Sequence, residues 1–591
     1  MPDSTNIAPQ ALKKIAIGLH QSGQAAAALS LYRQLLPGNT NDSHLHFLAG
    51  TAALQCGDAA GAETLLDTAL ALKPDLPLAL ANRATARMSL GKQALAEEDF
   101  NRALSLKPDF ADAHFNRGNL YLAQQRHTEA LSDYDRAIAL RPDYIDALYN
   151  RACLQLSLGQ PAAALAGFDH VLKLAPRHVG AHNNRGNAFR AQRRPEDALA
   201  AYRQVTALDP TGREGHYNCA IALTELARPE EALIECELTL KRYPDYAEAH
   251  CCHGNILREL GRLPEAIAAY TRAEVHKPGY ADARWDRSMV ELLQGDYTAG
   301  WAHFEERWRC ALPPAAARGF THPLWQGEPI AGKTILLHAE QGFGDTIQFC
   351  RYVPMVAASG ARVLFEAPKP LLPLLATLKG DFTLLTQGGP APLPDFDLHC
   401  PLMSLPAAFA TRVETIPNHT PYLAADPARQ AQWAAKLGPH TRARIGLVWS
   451  GRPGLVPDRT RSMALARLSP LLAEPYEFHA LQKDIRPDDS ALLSALPQLQ
   501  IHCADLHDYA DTAALIAELD LVITVDTSVA HLAGALHQPV WVILPFAPDW
   551  RWLTKRCDSP WYPSARIFRQ ARRGDWEGLV SDLIAALKEK F

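Results

Sequence analysis

Small and large apolar positions return through the first half of the chain at one fixed step. Ala16, Gly50, Ala84, Gly118, Ala152, Gly186, Ala220 and Gly254 lie 34 residues apart. A second small phase holds Ala28, Ala62, Ala96, Ala130, Ala164, Ala198, Ala232 and Ala266. Four residues further on come Tyr32, Leu66, Phe100, Tyr134, Phe168, Tyr202 and Tyr270, with Cys236 as the exception. Pro74, Pro108, Pro142, Pro176, Pro210, Pro244 and Pro278 keep the same step of 34. The pattern predicts pairs of antiparallel helices. The small residues allow close approach, the aromatic fills the space beside them, and the proline ends the second helix. Stepping from Pro9 gives nine units ending near Pro314, with atypical first and last members, as a stacked array requires at its ends.

This periodicity resembles the tetratricopeptide repeat. Asn82, Asn116, Asn150, Asn184 and Asn218 share one phase of the first helices, and asparagine is a poor residue inside a helix. Two readings stand: local bonds between repeat units, or an amide ladder that holds an extended polypeptide. The second is similar to the asparagine ladder of O-GlcNAc transferases. His114, His182, His216 and His250 also share a phase. Units stacked about 8–10 Å apart cannot bring them to one metal ion, so they read as repeat-position residues.

After Pro314 the pattern changes. Apolar runs at 334–339, 362–367, 382–385 and 396–399 alternate with helical stretches. A second series follows at 444–449, 477–482, 500–502, 519–525 and 540–544. Strand–helix alternation predicts parallel sheets. The expected organisation is an all-α repeat region over 9–314, a linker over 315–332, and an α/β module of two Rossmann-like halves, 333–425 and 426–591. The arrangement resembles the GT-B architecture, two Rossmann-like halves facing across a cleft, and that resemblance implies an acceptor side in the first half and a nucleotide-sugar side in the second. A single decorated Rossmann domain is the alternative.

Chemistry is expected where strands run into turns. The segment from Asp520 to Leu536 is an apolar strand, then Asp526-Thr527-Ser528, then a helix with His531 one turn in. Free N–H groups at such a helix start suit a diphosphate. Trp449, Ser450, Arg459 and Arg461 follow another strand, and arginine forks match phosphate oxygens. Lys483 ends a third strand. Gly342-Phe343-Gly344-Asp345 opens a helix after the first strand.

These turns resemble those of family 9 glycosyltransferases, the heptosyltransferases. The resemblance implies a donor diphosphate at Asp526, Thr527, Ser528 and His531, with Lys483 against the phosphates. It implies Asp345 as the base that deprotonates the acceptor; positioning of a substrate and simple helix capping remain the other roles for it. Gly342, Gly344 and His399 are expected to line the acceptor cleft. Asp395 and Asp397 match a metal-binding DxD only literally, so no metal or other cofactor is expected beyond the nucleotide-sugar co-substrate. The donor turn carries Asp-Thr-Ser where many heptosyltransferases have Asp-Thr-Gly, which leaves donor identity open.

Composition narrows the partners. Lys and Arg number 59 against 64 Asp and Glu, a net charge of −5, which disfavours nucleic acid. Eleven scattered cysteines without a CxxC pair fit a reducing compartment. Residues 1–21 lack a continuous apolar core, and the apolar run 528–548 holds two histidines and two prolines. The reading is a cytoplasmic protein with no transmembrane segment, peripheral membrane association being left open. The expected activity is inverting, metal-independent transfer of a sugar to a protein or glycan that the repeats recruit. The alternative is a scaffold whose transferase module only binds.

Overall fold

A computed structural model describes residues 9–451 and 461–591. The chain divides into two compact units after Ala222.

Through both units helices come in hairpins, from Pro9–Gln21 to Tyr297–Phe304. A typical pair is Pro77–Ser89 followed by Gln93–Leu106, and Pro108 stands two residues beyond the second helix. The small phase is required by contact: a Cβ on Gly186 would lie 2.4 Å from the Tyr202 ring, and one on Gly254 would lie 2.4 Å from the Tyr270 ring. Both tyrosines are buried, so each of these two hairpins closes around one aromatic plug.

The second unit also holds two parallel sheets. The first contains β1 (Thr334–His338), β2 (Arg362–Ala367), β3 (Phe382–Thr386) and β4 (Leu398–Pro401), in the order β3-β2-β1-β4. The second contains β5 (Arg444–Val448), β6 (Glu477–Ala480), β7 (Leu499–Ile501), β8 (Leu521–Val525), β9 (Val540–Leu544) and β10 (Ala565–Arg569). Its order is β10-β9-β8-β5-β6-β7, and all pairs are parallel. Strand order reverses between β5 and β8, so a crevice opens beyond their carboxyl ends, where ligands of such sheets bind. The fold is thus the expected α-helical repeat array plus an α/β module of two Rossmann-like lobes. β10 was not expected: Arg566 and Arg569 interrupt its apolar run, and the Arg566 guanidinium lies over the Trp541 and Phe568 rings.

Residues 315–332 lie against the first sheet. Arg318 pairs with Glu366 at 2.6 Å, Phe320 packs on His338 and His399, and the Trp325 N–H donates to the His399 carbonyl. The last hairpin, Ala281–Gln294 and Tyr297–Phe304, is built into the lobes. Trp301 Nε1 donates to the Thr411 carbonyl at 2.9 Å, and Trp561 Nε1 donates to the Tyr297 hydroxyl at 3.2 Å. Among the described residues, no helix is long and apolar enough to cross a membrane.

Candidate active site

All five residues of β8 are buried, and the strand turns at Asp526 into the helix Ser528–Ala535. Thr527 caps this helix, its hydroxyl accepting from the Val529 N–H at 3.3 Å. The Ser528 hydroxyl bonds the Tyr509 hydroxyl at 2.7 Å. His531 is 5% exposed, bonds the Tyr562 hydroxyl through Nδ1 at 3.0 Å, and stacks on Trp552. Burial and three nearby arginines hold its pKa well below the usual value, so the imidazole is neutral.

The turn after β1 meets this helix from the other lobe. The helix Phe343–Phe349 begins there, and Asp345 Oδ2 accepts the Gly342 N–H at 2.9 Å. A Cβ on Gly344 would lie 2.9 Å from His531 Cδ2 and 3.3 Å from Ser528 Cα. Only glycine lets the two helix starts approach this closely.

Arg551, from the turn Trp550–Trp552 that follows β9, closes the junction. Nη2 donates to Asp345 Oδ1 at 2.5 Å, Nη1 to Asp549 Oδ1 at 2.9 Å, and Nε to Gln348 Oε1 at 2.7 Å. Its guanidinium lies 4.6 Å from the centre of the Trp550 ring. Burial raises the Asp345 pKa above its usual value, against the opposing pull of Arg551. Asp526 is pushed up to about 6, by burial first and by Asp549 second.

The structure therefore brings together Gly342, Gly344, Asp345, Asp526, Thr527, Ser528 and His531. Arg461 acts on this group through its charge, which contributes to the pKa values of Asp345, Asp526 and His531. Arg459 lies outside the described residues. Other expected residues do not join the group. Trp449 is fully buried in the core under the second sheet, with Nε1 donating to Asp489 at 2.9 Å, because the strand alternation turns it inward. Ser450 is 2% exposed, and its backbone is held by the Gln482 amide. Lys483 spends its ammonium on the Cys503 and Leu506 carbonyls. His399 sits under Phe320, with Nδ1 3.3 Å from His338 Nε2. Asp395 is exposed, and Asp397 accepts from the Thr334 N–H at the start of β1. Among the described residues, no three His, Cys, Asp or Glu side chains are placed to hold a metal.

The asparagine phase is engaged within the repeats. Asn82 donates to Thr51, Asn150 to Asn119, Asn184 to Tyr149 and Asn218 to Asn183, each in the preceding unit. Asn116 is half-buried. The structure adds a second amide phase: Asn119, Asn187 and Asn255 accept from the hydroxyls of Tyr134, Tyr202 and Tyr270. The repeat histidines also have a structural task. His114, His182 and His250 each bond, through Nε2, the carbonyl of the proline six residues earlier.

Two features of the site escaped sequence reasoning. Arg551 and Asp549 lie in the aromatic stretch Pro545 to Trp552, where neither residue belongs to a motif that marks it as functional. The second is the support behind them: Trp550 packs against Trp301 at 5.3 Å, Tyr297 at 6.2 Å and Phe304 at 6.4 Å, so the last repeat backs the turn that carries Arg551. A buried pair, Arg307–Glu340 at 3.0 Å, ties the same repeat to the chain two residues before Gly342.

Tetratricopeptide-repeat models match residues 14–77, 82–145, 185–247 and 253–306, and a further one matches 118–185. The model of glycosyltransferase family 9 (heptosyltransferase) matches residues 505–574, which hold Asp526 to His531, Asp549 and Arg551 but not Asp345. Protein FlbA of Caulobacter vibrioides is 29% identical over 350 residues, which are 54% of this chain and 57% of that protein. Among solved structures, YrrB, described as a TPR protein with an unusual peptide-binding site, aligns with 31% of this chain and 95% of its own at 22% identity and a TM-score of 0.29. A tetratricopeptide repeat protein from Parabacteroides merdae aligns with 42% of this chain and 98% of its own at 20% identity and a TM-score of 0.34. The chain joins tetratricopeptide repeats in its first half to a glycosyltransferase family 9 (heptosyltransferase) segment at 505–574, within the second of its two sheet lobes.

Proposed function

We propose that the protein is an inverting glycosyltransferase that needs no metal and moves a sugar from a nucleotide-sugar to an acceptor recruited by the repeats. The observation that carries this reading is the position of Asp345. It is a carboxylate of raised pKa, set where two lobes and two helix starts meet, 2.5 Å from an arginine.

In the proposed step the acceptor hydroxyl oxygen attacks the anomeric carbon and its proton passes to Asp345. The bond from that carbon to the diphosphate breaks, and the nucleoside diphosphate leaves with the electron pair. Attack on the face opposite the leaving group inverts the centre. The Ser528 N–H, the positive end of its helix and the charge of Arg461 receive the negative charge that develops. Neutral His531, buried against Trp552 and Tyr562, shapes the wall. A protein partner on the repeats is the favoured acceptor or guide, because helical repeat arrays offer extended surfaces for polypeptides. The test is release of nucleoside diphosphate from a panel of nucleotide-sugars, with candidate acceptors and with chelator present.

The scaffold reading draws on the same pair: a carboxylate neutralised by Arg551 is a poor base. It predicts that Asp345→Asn changes no property of the protein beyond stability.

A further inference from the structure

Arg551 is 7% exposed and each of its three guanidinium nitrogens has an acceptor: Gln348, Asp549 and Asp345. The Trp550 and Phe349 rings lie 4.6 and 5.7 Å from it and fix its plane. Of the two carboxylates, Asp345 comes from the opposite lobe and already has its second oxygen held by the Gly342 N–H. The junction lies beside the Ser528 helix start, since Trp552 stacks on His531 and Gly344 abuts Ser528.

We infer that Arg551 is a donor-binding residue that changes partners: in the empty cleft it holds Asp345, and the donor's diphosphate takes over Nη2 and releases Asp345 to accept the acceptor's proton. The inference rests on the glycosyltransferase reading and deepens it. A phosphate oxygen fits a guanidinium fork as a carboxylate does, so the buried cation stays paired throughout and no unpaired charge is created. The released carboxylate loses its counter-charge in a desolvated place, and a carboxylate so placed binds protons more readily. The donor must then bind before the base becomes competent, which keeps the empty enzyme inert.

The test is isothermal titration of the full chain with ADP, GDP and UDP. One of them is expected to bind the wild type. Arg551→Gln should weaken that binding at least tenfold, with Arg551→Lys intermediate. Asp345→Asn should tighten it several-fold, because the competing anion is gone. Unchanged affinity in Arg551→Gln, or equal or weaker affinity in Asp345→Asn, overturns the exchange while leaving the transferase reading standing. Binding of no nucleotide to the wild type overturns both. If Arg551→Gln does not fold, as judged by circular dichroism, Asp345→Asn alone decides.

Discussion

Arg551 donates to Asp345 at 2.5 Å from the opposite lobe, and the residue before it, Trp550, is packed into the last repeat. One short turn therefore joins the last repeat, the second sheet lobe and the candidate base.

Asp345→Asn keeps the size of the side chain and its bond to the Gly342 N–H, but removes the proton acceptor. Sugar transfer should fall by roughly 10²- to 10⁴-fold, the usual contribution of general base catalysis, while the thermal midpoint changes by a few degrees at most. Steady-state turnover and a melting curve on the same preparation check this.

Trp301 is 6% exposed and packs on Trp550 while its Nε1 holds the Thr411 carbonyl. Trp301→Ala should destabilise the second unit by about 3–5 kcal/mol, the range for emptying a large aromatic site. Trp301→Phe, which retains the ring contact, should cost much less and should retain transfer. A repeat that merely tethers a partner would give intact turnover on a small acceptor in both variants.

Glu340 is pushed up to about 7, by burial first and with Arg307 opposing. The folded state then binds a proton that the unfolded state lacks between about pH 4.5 and 7, so stability falls as pH rises through that range. The expected loss between pH 6 and 8 is on the order of 1 kcal/mol. Glu340→Gln should flatten that part of the stability profile, as read by urea unfolding at several pH values. Activity should show a separate acid limb: Asp345 must be ionised to act, and burial places its titration above the usual aspartate range.

Asn150 donates to Asn119, which also accepts from the Tyr134 hydroxyl. Asn150→Ala should cost about 1 kcal/mol, the net worth of one such bond, and the loss should appear in hydrogen exchange of the hairpins around residues 111–157. If instead this amide serves only a bound polypeptide, stability is unchanged and partner affinity drops.

The repeat array was legible because its contacts are local: the Gly186–Tyr202 and Gly254–Tyr270 contacts each span 16 residues, and the period prints itself on the sequence. The turn after β8 was legible for a similar reason, since strand, Asp526-Thr527 cap and helix are contiguous. The Arg551–Asp345 pair was not, because its members are 206 residues apart and neither carries a pattern that names the other. Trp449 shows the opposite failure. A tryptophan at a strand end looks the same whether it faces a cleft or a core, and here the alternation of β5 sends it to the core, onto Asp489.

The central claim is that this chain transfers a sugar with Asp345 as its base. The most direct measurement is nucleoside diphosphate released by the full chain and by Asp345→Asn, across a panel of nucleotide-sugars, with acceptor protein supplied. The account predicts release from at least one donor by the wild type, and background release by the variant. No release from any donor, or equal release by both proteins, would contradict it.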